Sequence, residues 1–334
     1  MLNEISSWCY KWRLSVNQSK TKIVHFRPST WQVSERIFTI GNLNIDYCES
    51  YKYLGLWLDG HLNFNLCVNE LSKSASRALA ALCSKHFQAG GFPYNIFTRL
   101  YESLVQPIIL YGARIWGITE HHKLNSVQNR ACKVFLGLKR NSPNLAARGD
   151  MGWTSCLTKQ RTEVLRLFCR LKSLPSSRLP VIISNWSLRR AKSWEKNVHA
   201  LVKNLRISHI CDVESINKSH LKALKRHLFQ NDESKWFQEL WNDSKNPNGN
   251  KLRTYRLFKK DLKPESYVLV NNLPRHIRKA TSLLRSGSSD LMIETLRYSH
   301  PPTPCICRLC PFCSEIETES HFLIECKMYS DLRY

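Results

Sequence analysis

The sequence has no apolar run approaching the ~20 residues needed to cross a bilayer. Its first residues put Glu4 and polar side chains where a secretory signal would need a basic start and an apolar centre. The expectation is an intracellular protein of the nucleus or cytoplasm, not secreted and without a membrane partner. Acid is also scarce, with 26 Asp and Glu against 50 Lys and Arg, a formal net charge of +24 in 334 residues. An excess of this size suits the neutralisation of phosphates with release of their counterions, which predicts a nucleic-acid partner; an anionic membrane surface is the other use of such charge. No Asp-Asp pair occurs, and Asp46, Asp59, Asp150 and Asp290 stand far apart in the chain. Nothing in their spacing supplies the adjacent carboxylates that hold two Mg²⁺ ions ~4 Å apart. A Gly-rich phosphate loop and a Gly-x-Ser-x-Gly elbow are missing too. The pair His121 and His122 near Cys132 reads as surface and core, because geometry and not nearness defines a nucleophile and its base. No catalytic residue is assigned.

What the chain does contain is a globular complement of apolar residues, 43% of the total. Leu2, Ile5, Trp8, Cys9 and Trp12 mark an amphipathic helix that starts at Met1 with nothing ahead to cap it, as in a truncated product or gene model. Short strand-like segments follow at 22–26, 36–41, 42–47 and 50–59, with Gly and Asn between them, a hairpin pattern. From about residue 61 the periodicity becomes helical. Helices are expected over 66–87, ending before Gly90-Gly91 and Pro93; over 97–116, interrupted at Pro107; over 122–138, ending near Gly137; and over 157–174, closed by Pro175. Residues 139–190 are strongly basic, residues 191–300 are irregularly helical, and 244–250 reads as a linker. The predicted fold is mainly α with a small α+β N-terminal part, in four segments: 1–60, 61–175, 176–300 and 301–334.

Thirteen cysteines are present. Cys9, Cys48, Cys67, Cys83, Cys132, Cys156, Cys169 and Cys211 are scattered and read as small buried hydrophobes in a reducing compartment. The other five crowd into 305–326 and point to metal. Cys310, Cys313, His321 and Cys326 are separated by two, seven and four residues. A tight turn can aim the first two sulfurs at one ion, and a short helical segment can bring His and Cys to the same point. The predicted cofactor is structural Zn²⁺ in a closed tetrahedral Cys-Cys-His-Cys (CCHC) knuckle, with no open position for a catalytic water. Cys305 and Cys307 compete as ligands but lie too close to Cys310 to share its tetrahedron. Phe322, Leu323 and Ile324 are expected to form a miniature core.

Four motifs, WCYKWRLSVNQSKTKIVHF (8–26), SYKYLGLWLDGHLNFN (50–65), LYESLVQPIILYGARIW (100–116) and the tail CPFC…ESHFLIEC, together resemble the C-terminal part of a non-LTR retrotransposon (LINE-type) reverse transcriptase. IETLRY (293–298) also looks like that family's elements. The resemblance covers the first 150 residues and the last 45 or so. It implies a palm remnant with a primer-grip-like hairpin over 1–60, a helical thumb over 61–175 and a zinc knuckle at the end. It further implies an RNA or RNA–DNA hybrid partner, contacted by Lys20 and Lys22 of a Lys-Thr-Lys element and by Tyr51, Tyr53, Leu54 and Gly55 of the hairpin. Arg130 and Lys133 would track phosphates without reading sequence. Buried strand positions for Tyr53 and Leu54 are the alternative. The family's aspartate pair is not found, so the resemblance implies a truncated RNA-directed DNA polymerase, inactive alone; Mg²⁺ would belong to a full-length parent that supplies the catalytic palm and endonuclease. The alternative is a host-retained zinc-knuckle interaction protein whose helical region binds another protein.

Overall fold

The computed structural model describes residues 2–208, 218–242 and 250–333; Cys211 and most of the expected linker lie outside them. The chain is mainly helical with two small antiparallel sheets, and it divides into two compact units, 1–73 and 74–334.

In the first unit, α1 (Leu2–Lys11) buries none of its residues, and Trp8 and Trp12 contact each other with ring centroids 6.4 Å apart. Strands β1 (Phe38–Ile40) and β2 (Leu43–Ile45) form one hairpin, β3 (Ser50–Tyr53) and β4 (Leu56–Asp59) the other. Ile40, Ile45 and Leu56 point inward. The segment 22–26 is not the strand its alternation suggests. Ile23 makes a single parallel bridge to Tyr47, donating to the Asp46 carbonyl and accepting from Cys48 N–H. The next backbone bond along this stretch, Arg27 N–H to the Gly60 carbonyl, goes to a different segment, so the bridge does not extend into a ladder.

Helix α2 (Asn65–Gln88) leads into the second unit, followed by α3 (Tyr94–Leu100). The expected interruption at Pro107 takes the form of a π turn, Tyr101–Val105, ahead of α4 (Gln106–Ile109). Proline has no N–H and its ring crowds the carbonyl four residues back, and the wider turn accommodates both. The chain then breaks at Gly112 (φ +67°) before α5 (Ala113–Trp116). Helix α6 (His122–Leu136) ends in a Schellman motif: Leu138 N–H bonds to the Lys133 carbonyl, Gly137 N–H to that of Val134, and Gly137 sits at φ +71°. The remaining helices are α7 (Asn144–Met151), α8 (Cys156–Lys172), α9 (Leu179–Ser187), α10 (Trp194–Asn204), α11 (Lys218–Asn242), α12 (Tyr255–Phe258), α13 (Ser266–Leu269), α14 (Arg275–Arg285) and α15 (Met292–Thr295).

Among the described residues, two apolar clusters join α7, α8, α10, α11 and α12. Val164, Leu165 and Phe168 of α8 pack with Val198, Leu201 and Val202 of α10 and Leu224 and Leu228 of α11. Ala146, Trp236, Leu240 and Tyr255 form the second cluster, where the Trp236 indole N–H also donates to the Leu145 carbonyl at 3.0 Å. Gly149 makes the second contact close: a Cβ there would lie 2.3 Å from Tyr255 Oη and 2.6 Å from Trp236 Cζ2.

Candidate metal centre and nucleic-acid surfaces

The tail builds its metal site from a turn and a single helical turn. Leu309 and Ile316 pair as an antiparallel bridge, and Cys310 N–H donates to the Glu315 carbonyl while Ser314 N–H donates back to Cys310. Ser314 takes the left-handed conformation (φ +59°) that closes the turn. Cys310 and Cys313 therefore face the same side. Residues His321–Glu325 form a π turn, and Cys326 N–H bonds to the His321 carbonyl. The wide turn lets two side chains five positions apart converge.

All four ligand atoms of Cys310, Cys313, His321 and Cys326 lie within 4.8 Å of one another, the one cluster of three or more metal-type ligands among the described residues. Cys326 Sγ is 3.9 Å from both Cys310 Sγ and Cys313 Sγ. A tetrahedral zinc ion with bonds of ~2.3 Å holds its sulfurs ~3.8 Å apart, so the spacing is that of an ion-sized gap. The His321 Nε2 to Cys313 Sγ distance is 3.1 Å. Three sulfurs and one imidazole nitrogen form a group that can hold a metal ion and is compatible with structural zinc. Burial pushes the Cys310 thiol up, but the Phe312 N–H, the His321 ring and the Cys313 N–H outweigh it and bring it down to about 7. Burial and the neighbouring sulfurs push Cys313 up to about 11. A thiolate is the form in which a cysteine ligates a metal.

Around the ligands, His321 Nδ1 is 3.9 Å from the Glu325 carboxylate, and Thr318 Oγ1 accepts the His321 N–H. Glu325 is the ring's outer partner, which sequence reading missed although it lies four residues from His321. Two further carboxylates join the tail to the helical body. Glu317 accepts Met292 N–H, and Glu319 accepts from Arg253 and from Thr254 Oγ1. The expected core of Phe322, Leu323 and Ile324 does not form. Leu323 and Ile324 are exposed, because a single turn that aims residues 321 and 326 inward aims those between them outward. Phe322 packs instead on Tyr329, centroids 4.8 Å apart, with Phe312 against the same ring at 6.2 Å. Cys305 and Cys307 are exposed and outside the quartet.

The nucleic-acid residues expected in the first unit fall on one hairpin and the loop beside it. Tyr51 Oη donates to the Lys20 carbonyl at 2.7 Å, and Lys22 Nζ pairs with Asp46 at 2.7 Å. At the hairpin tip Leu54 (φ +47°) and Gly55 (φ +86°) both have positive φ, the pattern of a type I′ turn. Tyr53 and Leu54 are 59% and 76% exposed, which removes the alternative of buried strand positions. In the second unit Arg130 and Lys133 lie on α6, one turn apart. Arg130 is exposed, and Lys133 Nζ donates to the Arg140 carbonyl at 2.8 Å, a contact the Schellman turn creates. No described helix is long and apolar enough to cross a membrane.

No family model matches the chain, and no solved structure matches it. Curated proteins do. It is 27% identical over 136 residues to the probable RNA-directed DNA polymerase from transposon BS of Drosophila melanogaster, 40% of this chain and 15% of that protein. It is 22% identical over 127 residues to the RNA-directed DNA polymerase from mobile element jockey of the same fly, 38% of this chain and 14% of that protein. The probable polymerase from transposon X-element is 23% identical over 153 residues, 44% of this chain and 16% of its own length. The matches thus span about a sixth or less of these relatives. They support a LINE-type reverse-transcriptase region over about 40% of the chain, related to retrotransposon RNA-directed DNA polymerases.

Proposed function

We propose, proceeding from that LINE-type reverse-transcriptase region, that this chain binds RNA or an RNA–DNA hybrid inside the cell and carries a structural zinc ion in its tail. The observation that carries the reading is the convergence of Cys310, Cys313, His321 and Cys326 within 4.8 Å on a chain of net charge +24. Zinc closes the tail, with Cys310, Cys313 and Cys326 supplying thiolates and His321 the imidazole. The exposed hairpin tip at Tyr53, Leu54 and Gly55 offers a close backbone approach and an aromatic ring for stacking on bases. Residues 1–60 act as a palm edge and 61–175 as a thumb.

The sequence contains no Asp-Asp pair to hold Mg²⁺ for nucleotidyl transfer, and the chain by itself does not copy nucleic acid. Zinc content by metal analysis, RNA affinity at about 50 and 200 mM salt, and primer extension with Mg²⁺ test the three parts. The reading expects one zinc per chain, affinity falling steeply with salt, and no extension. Salt-indifferent RNA binding, or none, would favour the second reading of a zinc-knuckle interaction protein. That reading draws on α9, whose Leu179, Ile182, Ile183 and Trp186 are all more than half exposed.

A further inference from the structure

The Schellman turn at the end of α6 folds the chain back and opens a cleft of about 690 Å³ between α6, the loop after it and the start of α7. Arg130, Lys133 and Arg140 line it together with Ser126, Asn129 and Asn144, and its lining carries no carboxylate. The neighbouring cavities differ. One of about 450 Å³ has Glu120, Asp232 and Glu239 opposite Arg148, Arg161 and Lys235, a balanced set. Another, of about 460 Å³, is also rich in cations (Lys159, Arg166, Lys225 and Arg226), but it holds an acid, Glu163, which binds Arg166, and Gln106 and Gln128 engage Lys159. The other cation of the α6–α7 loop, Lys139, is paired with Asp290.

Arg130 and Arg140 are exposed and Lys133 is half-buried, and among the described residues no carboxylate pairs with any of the three, so the cleft keeps a positive field that draws an anion. Burial pushes the half-buried Lys133 ammonium down, and the charge of Lys251 adds to it. Asn144 is the first residue of the eight-residue α7, which Pro143 leaves without a side-chain cap, so the positive end of the helix opens at the same place. The amides of Asn129 and Asn144 add uncharged donors.

We infer that the α6–α7 cleft is a phosphate site, built from Arg130, Lys133, Arg140 and the start of α7, that holds backbone phosphodiesters of the bound RNA. The inference rests on the RNA-binding reading and adds Arg140, Asn129 and Asn144 to it. The probe is a labelled single-stranded RNA of about 20 nucleotides, titrated into the zinc-loaded chain by fluorescence anisotropy over a range of salt. Each phosphate contact contributes a slope of ~0.7 in log K against log salt, or about fivefold at ~0.1 M relative to 1 M. The exposed pair R130Q/R140Q should therefore weaken binding about 25-fold at ~0.1 M and reduce the slope by about 1.4, with zinc content and melting temperature unchanged. The charge-matched control K196Q/K203Q, two exposed lysines of α10, should stay within about threefold of the wild type.

Equal affinity and slope for R130Q/R140Q and a wild type that does bind RNA would overturn the site and leave the RNA-binding reading standing. An equal loss in the control would also overturn it, by assigning the effect to charge alone. Calorimetry with inorganic phosphate separates the two sources of the anion: loss of phosphate binding in R130Q/R140Q with RNA binding intact would make this a free-phosphate site and sink the inference. Failure of the wild type to bind RNA would take down the proposed function, and this inference with it.

Discussion

Arg253 and Glu319, 66 residues apart, meet in a two-pronged ion pair: Nε lies 3.1 Å and Nη2 2.5 Å from the two carboxylate oxygens, and the Glu319 side chain is 2% exposed. Arg253 also reaches Glu294 at 2.7 Å. Removing one member of such a buried set leaves charges uncompensated, which costs roughly 3–5 kcal/mol. Arg253→Ala should lose about that much in chemical denaturation. A loss below about 1 kcal/mol would show the pair to be an onlooker.

Zinc removal should reach beyond the tail for the same reason, because Glu317 and Glu319 are held in place by the turns the ligands close. Structural zinc in comparable peptides is worth ~10–16 kcal/mol. Cys313→Ala and His321→Ala should each abolish stoichiometric zinc by mass spectrometry and increase proteolytic cleavage after Thr295. Full zinc occupancy in either variant would remove that residue from the ligand set.

A pH dependence arises at His86, which is fully buried. Burial first, then the charges of Arg275 and Arg278, push its imidazole from 6.5 down to about 4. Its Nδ1 accepts Phe92 N–H at 2.9 Å, so the neutral ring carries its proton on Nε2. Between about pH 6.5 and 4 the unfolded chain binds the extra proton and the folded one does not, so stability falls as pH drops through that window. The shift corresponds to about 3 kcal/mol by pH 4. His86→Asn, which keeps an acceptor near the Nδ1 position, should flatten this part of the denaturation profile; an unchanged slope would assign it to other groups.

Gly149→Ala tests the closeness of α7 to the Trp236 cluster. The added methyl would meet Tyr255 Oη at 2.3 Å and Trp236 Cζ2 at 2.6 Å, and overpacking of this kind costs roughly 1–3 kcal/mol. Gly90→Ala has open space around it but sits at φ +72°, and should cost about 1–2 kcal/mol from the backbone alone. Equal melting temperatures for Gly149→Ala and wild type would mean that α7 yields to the methyl.

At the hairpin tip Leu54 occupies a left-handed position that suits Asn or Gly better. Leu54→Asn should raise stability by about 1 kcal/mol. If the exposed leucine touches nucleic acid, the same variant will weaken RNA binding while it stabilises the fold, and a gain in both would argue against a binding role.

The sequence revealed most where the cause is local. Helices 66–87, 122–138 and 157–174 appear within one or two residues of their expected limits, because periodicity, Gly137 and Pro175 all act within a turn or two. The convergence of Cys310, Cys313, His321 and Cys326 was legible for the same reason, their spacing being short enough to fix their meeting. Long-range pairings were not. Nothing in the chain order announces that Arg253 meets Glu319, or that Arg285 reaches across 135 residues to the buried Asp150, where Tyr255 and Tyr267 also donate. The expected strand at 22–26 had the right alternation, but alternation does not say which segments will run alongside it, and only Ile23 is bridged.

The π turn at Tyr101–Val105 sets the angular phase of everything on its strip of the helical stack. Phe97, Tyr101, Val105 and Ile109 are all buried at intervals of four residues. A regular α-helix rotates such a series by about 40° per step and would carry the last of them well around toward solvent. The widened turn slows that rotation. Deleting the exposed Leu104 would restore ordinary winding locally and turn Ile109 away from the core, so the chain tolerates many side chains at position 104 but not the loss of the position itself.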